Sequence, residues 1–121
     1  MYVLTYKAIK SCFLKNCVYL LVICSPSPIQ WSALPLAKIG LDLVVQSKSG
    51  TGKTLVYAIS ILNMVNVENT NVQALVICPT REIAVQGART ILDVAMASMP
   101  AVKVSTLIGG MSVIDDTVKL A

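Results

Sequence analysis

The chain has 121 residues, 55% of them hydrophobic and 13% charged, which excludes a disordered tail and allows a buried core. That length suits one small domain, or the front of a larger one, with no room for a second. Ten Lys and Arg against six Asp and Glu leave a formal net charge of +4, scattered along the chain, so charge alone establishes no polyanionic partner.

Residues 1–24 are a divergent apolar N-terminal segment. Lys7, Lys10 and Lys15 precede the apolar run Cys17-Val-Tyr-Leu-Leu-Val-Ile-Cys24, in loose imitation of a secretory signal. The run is shorter than the roughly 20 apolar residues a membrane-spanning helix takes, and Ser25-Pro-Ser-Pro28 offers no small-x-small cleavage site. No membrane is expected, and the competing reading is an apolar helix or strand packed on the core. Cys12, Cys17, Cys24 and Cys78 show no Cys-x-x-Cys spacing, and the chain has no histidine. They read as buried or free thiols in a reducing compartment rather than as a zinc site.

From Ser25 onward the prolines forbid regular helix until Pro28, which suits a first helical position with Ser27 as N-cap. The spacing predicts a helix over Ile29–Lys38, bent or ended early by Pro35 and closed by Gly40. Leu41-Asp-Leu-Val-Val45 is a short β-branched run of the kind a parallel strand buried on both faces shows, and is the expected first core strand. A polar glycine loop, Gln46 to Gly52, leads into a helix from Lys53 to about Val65, with Leu55, Ile59 and Leu62 at helical spacing. Asn66 to Asn71 is a turn, and Val72–Cys78 a second strand stopped by Pro79. Thr80 caps a helix over Glu82 to about Ala97, and Val102–Ile108 is a third strand ending in Gly109-Gly110. The order β-α-β-α-β implies an α/β fold of three parallel strands with flanking helices.

Ser47-Lys-Ser-Gly-Thr-Gly-Lys-Thr54 fits the phosphate-loop pattern from its middle glycine onward, with Ser47 where the general pattern has its first glycine. A loop that turns its N–H groups inward at a helix N-terminus makes an anion hole, and Gly50 and Gly52 let the backbone approach phosphate without a Cβ between. Lys53 would reach the β- and γ-phosphates, and Thr54 would offer its hydroxyl to Mg²⁺. The nucleotide-contacting set is then Ser47, Lys48, Ser49, Gly50, Thr51, Gly52, Lys53 and Thr54, with Lys53 and Thr54 as the catalytic pair. The alternative is a glycine turn that happens to precede a helix.

Three further stretches flank that loop in a definite order. Pro26-Ser-Pro-Ile-Gln30 lies before it, Pro79-Thr-Arg-Glu-Ile-Ala-Val-Gln86 follows the second strand, and Gly109-Gly110 follows the third. This set resembles the DEAD-box family of ATP-dependent RNA helicases, over roughly Ser25 to Met111. The resemblance implies that residues 25–121 are an incomplete RecA-like P-loop NTPase domain, the first of the helicase core. It implies ATP and Mg²⁺ as cofactors, RNA as partner, and a cytoplasmic or nuclear location. Gln30 resembles the glutamine that reads the adenine edge, for which an amide is chemically suited because it offers a donor and an acceptor on one fork. Pro79, Thr80 and Arg81, together with Gly109 and Gly110, resemble the elements that contact the RNA backbone; Arg81 can pair with phosphate in a forked geometry. Residues 40–46, 48–54 and 79–86 resemble most the subfamily of the SMN (gemin) complex helicase, which implies SMN-complex proteins as partners.

The sequence also departs from the family pattern. Family members carry an aromatic residue shortly before the Pro-Ser-Pro stretch and another further upstream that stacks on adenine. Here Ile23 holds the near position, and Tyr2, Tyr6 and Phe13 are the candidates for the far one. The 121 residues hold no Asp-Glu-Ala-Asp and no second RecA-like domain with its arginine fingers, and an arginine finger contributes about 10³–10⁵ in rate. Useful ATP turnover is therefore not expected from these residues by themselves. Asp115-Asp116 read as solvated charges or a helix start. Two other functions stay open: a non-catalytic fragment that binds nucleotide weakly at most, and an unrelated P-loop NTPase tethered to a membrane.

Overall fold

The computed structural model describes residues 2–8 and 26–120. The elements are β1 (Tyr2–Ala8), α1 (Pro28–Lys38), α2 (Lys53–Met64), β2 (Leu75–Cys78), α3 (Arg81–Ser98), β3 (Val102–Leu107) and α4 (Val113–Leu120). Cys12, Phe13, Cys17, Ile23, Cys24 and the apolar run between the last two cysteines lie outside the described residues.

Local chemistry sets the helix ends. Ser27 caps α1 through a reciprocal box, its hydroxyl accepting from the Gln30 amide at 3.4 Å while Gln30 Oε1 accepts from the Ser27 amide at 3.0 Å. At the other end Gly40, with φ +79°, donates to Ala37 O, and Leu41 donates to Leu36 O, the paired bonds of a Schellman stop. Of the two effects expected of Pro35, an early end is not seen: α1 continues through it to Lys38, the expected last residue. The carbonyl that loses a donor belongs to Trp31, whose side chain is largely exposed, on a face where water can take its place.

Asn66 to Asn71 is a turn as expected. Asn66 and Asn69 side chains accept from amides two residues on, and the Gln73 side chain donates to the carbonyls of both asparagines. Thr80 caps α3 as predicted, accepting from the Ile83 amide. Asp115 and Asp116 stand in the first turn of α4, where carboxylates favour a helix start.

The core lies between α2, α3 and one face of the sheet. Ala58, Ile61 and Leu62 of α2 meet Ala84, Ala88, Ile91 and Ala95 of α3, with Cys78 of β2 and Val102 of β3 beneath them. The small residues of α3 on this face let α2 approach closely, and Ile91 is fully buried among them.

The sheet corrects the expectation of three parallel strands. Its order is β2-β1-β3, and β1 runs antiparallel to both neighbours, pairing Val3 with Ile77 on one side and Tyr6 with Val104 on the other. Strands β2 and β3 are therefore parallel to each other but separated by one strand. The expected first core strand, Leu41–Val45, is in no strand of the described residues, and Leu41 and Val44 are exposed at 54% and 101%. A β-branched run makes a strand only where a neighbouring backbone accepts its hydrogen bonds, and no described strand lies beside it. Strand β2 is also shorter than Val72–Cys78, because its pairing with β1 begins at Leu75 opposite Thr5.

Candidate functional site

The glycine loop connects α1 to α2 and turns on two left-handed residues, Gly50 at φ +78° and Gly52 at φ +87°. Gly52 is the N-cap of α2 and has no side chain with which to cap it. Among the described residues, none supplies an acceptor to the backbone amides of Gly50, Thr51, Gly52, Lys53 or Thr54. Consecutive free N–H groups at the positive end of a helix form the cradle that a polyphosphate fits.

The side chains of the loop bond to the loop itself. Lys53 Nζ donates to Ser47 O at 2.8 Å and to Lys48 O at 2.5 Å. Thr51 Oγ1 donates to Lys48 O at 2.9 Å and lies 2.5 Å from Ser47 Oγ. The structure thus gathers Ser47, Lys48, Thr51 and Lys53 around one turn, with Lys48, Ser49 and Gly50 exposed.

Gln30 joins this loop. It is buried, and while its carbonyl oxygen serves the α1 cap, its Nε2 donates to Gly52 O at 3.3 Å. A Cβ built on Gly52 would sit 2.3 Å from that nitrogen, so the contact depends on glycine. The amide fork expected to meet adenine therefore has a second, structural employment, which leaves one donor hydrogen and one lone pair. Of the aromatic candidates for stacking, Tyr2 and Tyr6 are in β1, the central strand, and Phe13 is outside the described residues.

One neighbour of the site escaped the sequence reading. Tyr57, one helical turn after Thr54, shares a side-chain hydrogen bond with it. Burial pushes the Tyr57 phenol above its usual value, and the Thr54 bond opposes that rise. The signal that could have found Tyr57 is its i+3 spacing from Thr54 on a helix.

The second cluster stands at the ends of β2 and β3. Arg81 donates to Gly109 O at 2.6 Å and brings together two motifs 28 residues apart in sequence. Pro79, Thr80, Arg81, Gly109 and Gly110 are all exposed, and Gly110 holds φ +92° with the Arg81 guanidinium beside it. Glu82 stands in the first turn of α3. Its own backbone amide, then the Thr80 hydroxyl and the Arg81 charge, hold its carboxyl below the usual glutamate range. Because the folded value is the lower one, this contribution to stability is present above the unfolded glutamate value and is lost as pH falls through the folded value. The loss of thermal midpoint on acidification through that window is expected to be smaller in Glu82→Gln than in the unsubstituted chain, as a calorimetric series would show.

A glycine-rich turn whose amides meet no acceptor among the described residues, a lysine at the head of the following helix and an adjoining hydroxyl have the make-up of a phosphate-binding loop. The family model for the DEAD/DEAH box helicases matches residues 27–120, and the chain belongs to that family. It is 42% identical over 95 residues to probable ATP-dependent RNA helicase DDX20 of Mus musculus, covering 78% of this chain and 11% of that protein. It is 39% identical over 95 residues to ATP-dependent RNA helicase VAD1 of Cryptococcus neoformans var. grubii, covering 78% and 15%. It is 38% identical over 95 residues to DEAD-box ATP-dependent RNA helicase 8 of Arabidopsis thaliana, covering 78% and 18%. The chain thus spans between 11% and 18% of the length of these relatives. Among the described residues no helix is long and apolar enough to cross a membrane, and no group of three or more potential ligands could hold a metal ion.

Proposed function

We propose that this chain supplies the ATP-contacting and RNA-contacting part of an ATP-dependent RNA helicase. The observation that carries the reading is the cradle itself, five consecutive backbone amides from Gly50 to Thr54 without an acceptor among the described residues, at the start of α2 and tied to Gln30 through Gly52. In this reading those amides hold the phosphates, Lys53 pairs with the β- and γ-phosphates, and Gln30 turns its remaining hydrogen-bonding capacity to the adenine edge. Thr54 would offer its hydroxyl to Mg²⁺, whose charge offsets that of the phosphate oxygens. ATP turnover and strand separation are proposed for the complete core, since they need an Asp-Glu-Ala-Asp motif and arginine fingers, and these 121 residues contain no such motif and no second RecA-like domain. Association with SMN-complex proteins, in the cytoplasm or nucleus, belongs to the same proposal and rests on the resemblance of residues 40–46, 48–54 and 79–86.

The RNA half rests on Arg81 and the two glycines, which share one exposed surface. Single-stranded RNA carrying photoreactive uridine is expected to crosslink within residues 79–81 and 109–110 of the full chain. Arg81→Ala is expected to weaken RNA binding by roughly tenfold to a hundredfold, the range for loss of one charge-assisted contact to phosphate. Crosslinks confined to α4 or to the Asn66–Asn71 turn would contradict this placement.

A further inference from the structure

We propose that the hydroxyls of Ser47 and Thr51 form a latch that keeps the phosphate loop bonded to itself and thereby lowers its affinity for nucleotide. The proposal rests on the nucleotide reading of the site, and it follows from counting hydrogens. Thr51 Oγ1 has one hydrogen, which goes to Lys48 O at 2.9 Å. The contact between Thr51 Oγ1 and Ser47 Oγ, 2.5 Å long, must then use the hydrogen of Ser47. The chain Ser47 hydroxyl to Thr51 hydroxyl to Lys48 carbonyl spans the turn from one side to the other.

The two residues held by this chain are also the two that hold Lys53. Its ammonium donates to the carbonyls of Ser47 and Lys48, which commits two of its three hydrogens to the loop. A terminal phosphate that is to be met squarely by Lys53 must draw the ammonium away from both carbonyls. The hydroxyl chain opposes that movement by keeping the carbonyls together and aimed at the nitrogen. Ser47 stands where the general pattern has glycine, and glycine would supply no hydroxyl, so the latch is a property of this chain's residue rather than of the pattern. Ser47 and Thr51 act through Lys53 and are positioning residues.

The test uses the full chain and two readouts. In buffer without nucleotide, backbone amide order parameters from nuclear spin relaxation across residues 47–52 are expected to fall from about 0.85 to below about 0.6 in Ser47→Ala and in Thr51→Val. Amides around Ile91 in the core are expected to keep their values, which shows that the fold is intact. Thr51→Ser retains a hydroxyl and is expected to recover the order that Thr51→Val loses. In the second readout, Ser47→Ala is expected to bind a fluorescent ADP analogue with Mg²⁺ about threefold to tenfold more tightly. Unchanged loop order in Ser47→Ala overturns the latch. Lower order with unchanged or weaker ADP binding overturns its role in affinity. If the unsubstituted chain takes up no ADP analogue, the nucleotide reading fails and the affinity claim with it, while the relaxation experiment still decides whether the latch exists.

Discussion

Replacing Lys53 by alanine is expected to weaken ATP binding by roughly tenfold to a hundredfold, the loss that accompanies removal of hydrogen bonds to a charged group. The side chain is the only cation among residues 49–54, and it projects from the first residue of α2, where the free amides of the loop already favour an anion. Amides hold phosphate oxygens through partial charges, whereas Lys53 brings a full charge to the terminal phosphates. Stability should move little. The carbonyls of Ser47 and Lys48 that would lose the ammonium lie in a half-buried to exposed loop where water can replace it. Lys53→Arg is not expected to rescue binding, because a planar guanidinium does not occupy the place of a compact ammonium. Titration with a fluorescent ATP analogue, alongside urea unfolding, separates the two effects. A variant that binds as well as the parent would remove Lys53 from the site.

Gly52→Ala is expected to destabilise the chain by about 2–5 kcal/mol. Part of this is backbone strain, since φ +87° is the left-handed region, which costs a residue with a Cβ roughly 1–2 kcal/mol. The rest comes from Gln30. The new Cβ would fall 2.3 Å from Gln30 Nε2 and displace a buried amide that is only 6% exposed. That amide then loses its bond to Gly52 O and disturbs its bond to the Ser27 cap, and a buried polar group left unmade costs about 1–3 kcal/mol. Gly50→Ala provides the comparison. Gly50 has a similar φ of +78°, but a Cβ there meets nothing within 4 Å, so strain alone is expected. Urea midpoints of the two variants check the argument: equal values would show that Gln30 does not couple α1 to the loop.

The parts of this fold that could be read in the sequence are those decided within a few residues. Ser27 with Pro28, Gly40, Pro79 with Thr80, and the asparagines before Gln73 each act on backbone groups close by, and the structure places a cap, a stop or a turn at each. The glycine loop is legible for the same reason. Strand pairing is not local. That Val3 lies opposite Ile77, or that Leu41–Val45 meets no described strand, depends on backbone far away in the chain, and β-branched composition carries no information about it. The site shows the same division. The residues around Lys53 could be found from spacing, and so could Tyr57, but the second bond of Gln30 and the bridge from Arg81 to Gly109 arise from packing between elements. Tyr2 and Tyr6, the far candidates for adenine stacking, are in the strand at the centre of the sheet.

The most direct measurement is a titration of the isotopically labelled full chain with ATP and Mg²⁺, following backbone amide resonances. The account predicts saturable shifts largest at the amides of Gly50, Gly52, Lys53 and Thr54, with a smaller response at the Gln30 side chain and none at β3. Shifts that leave the Gly50–Thr54 amides untouched, or that are centred on another part of the chain, would contradict it.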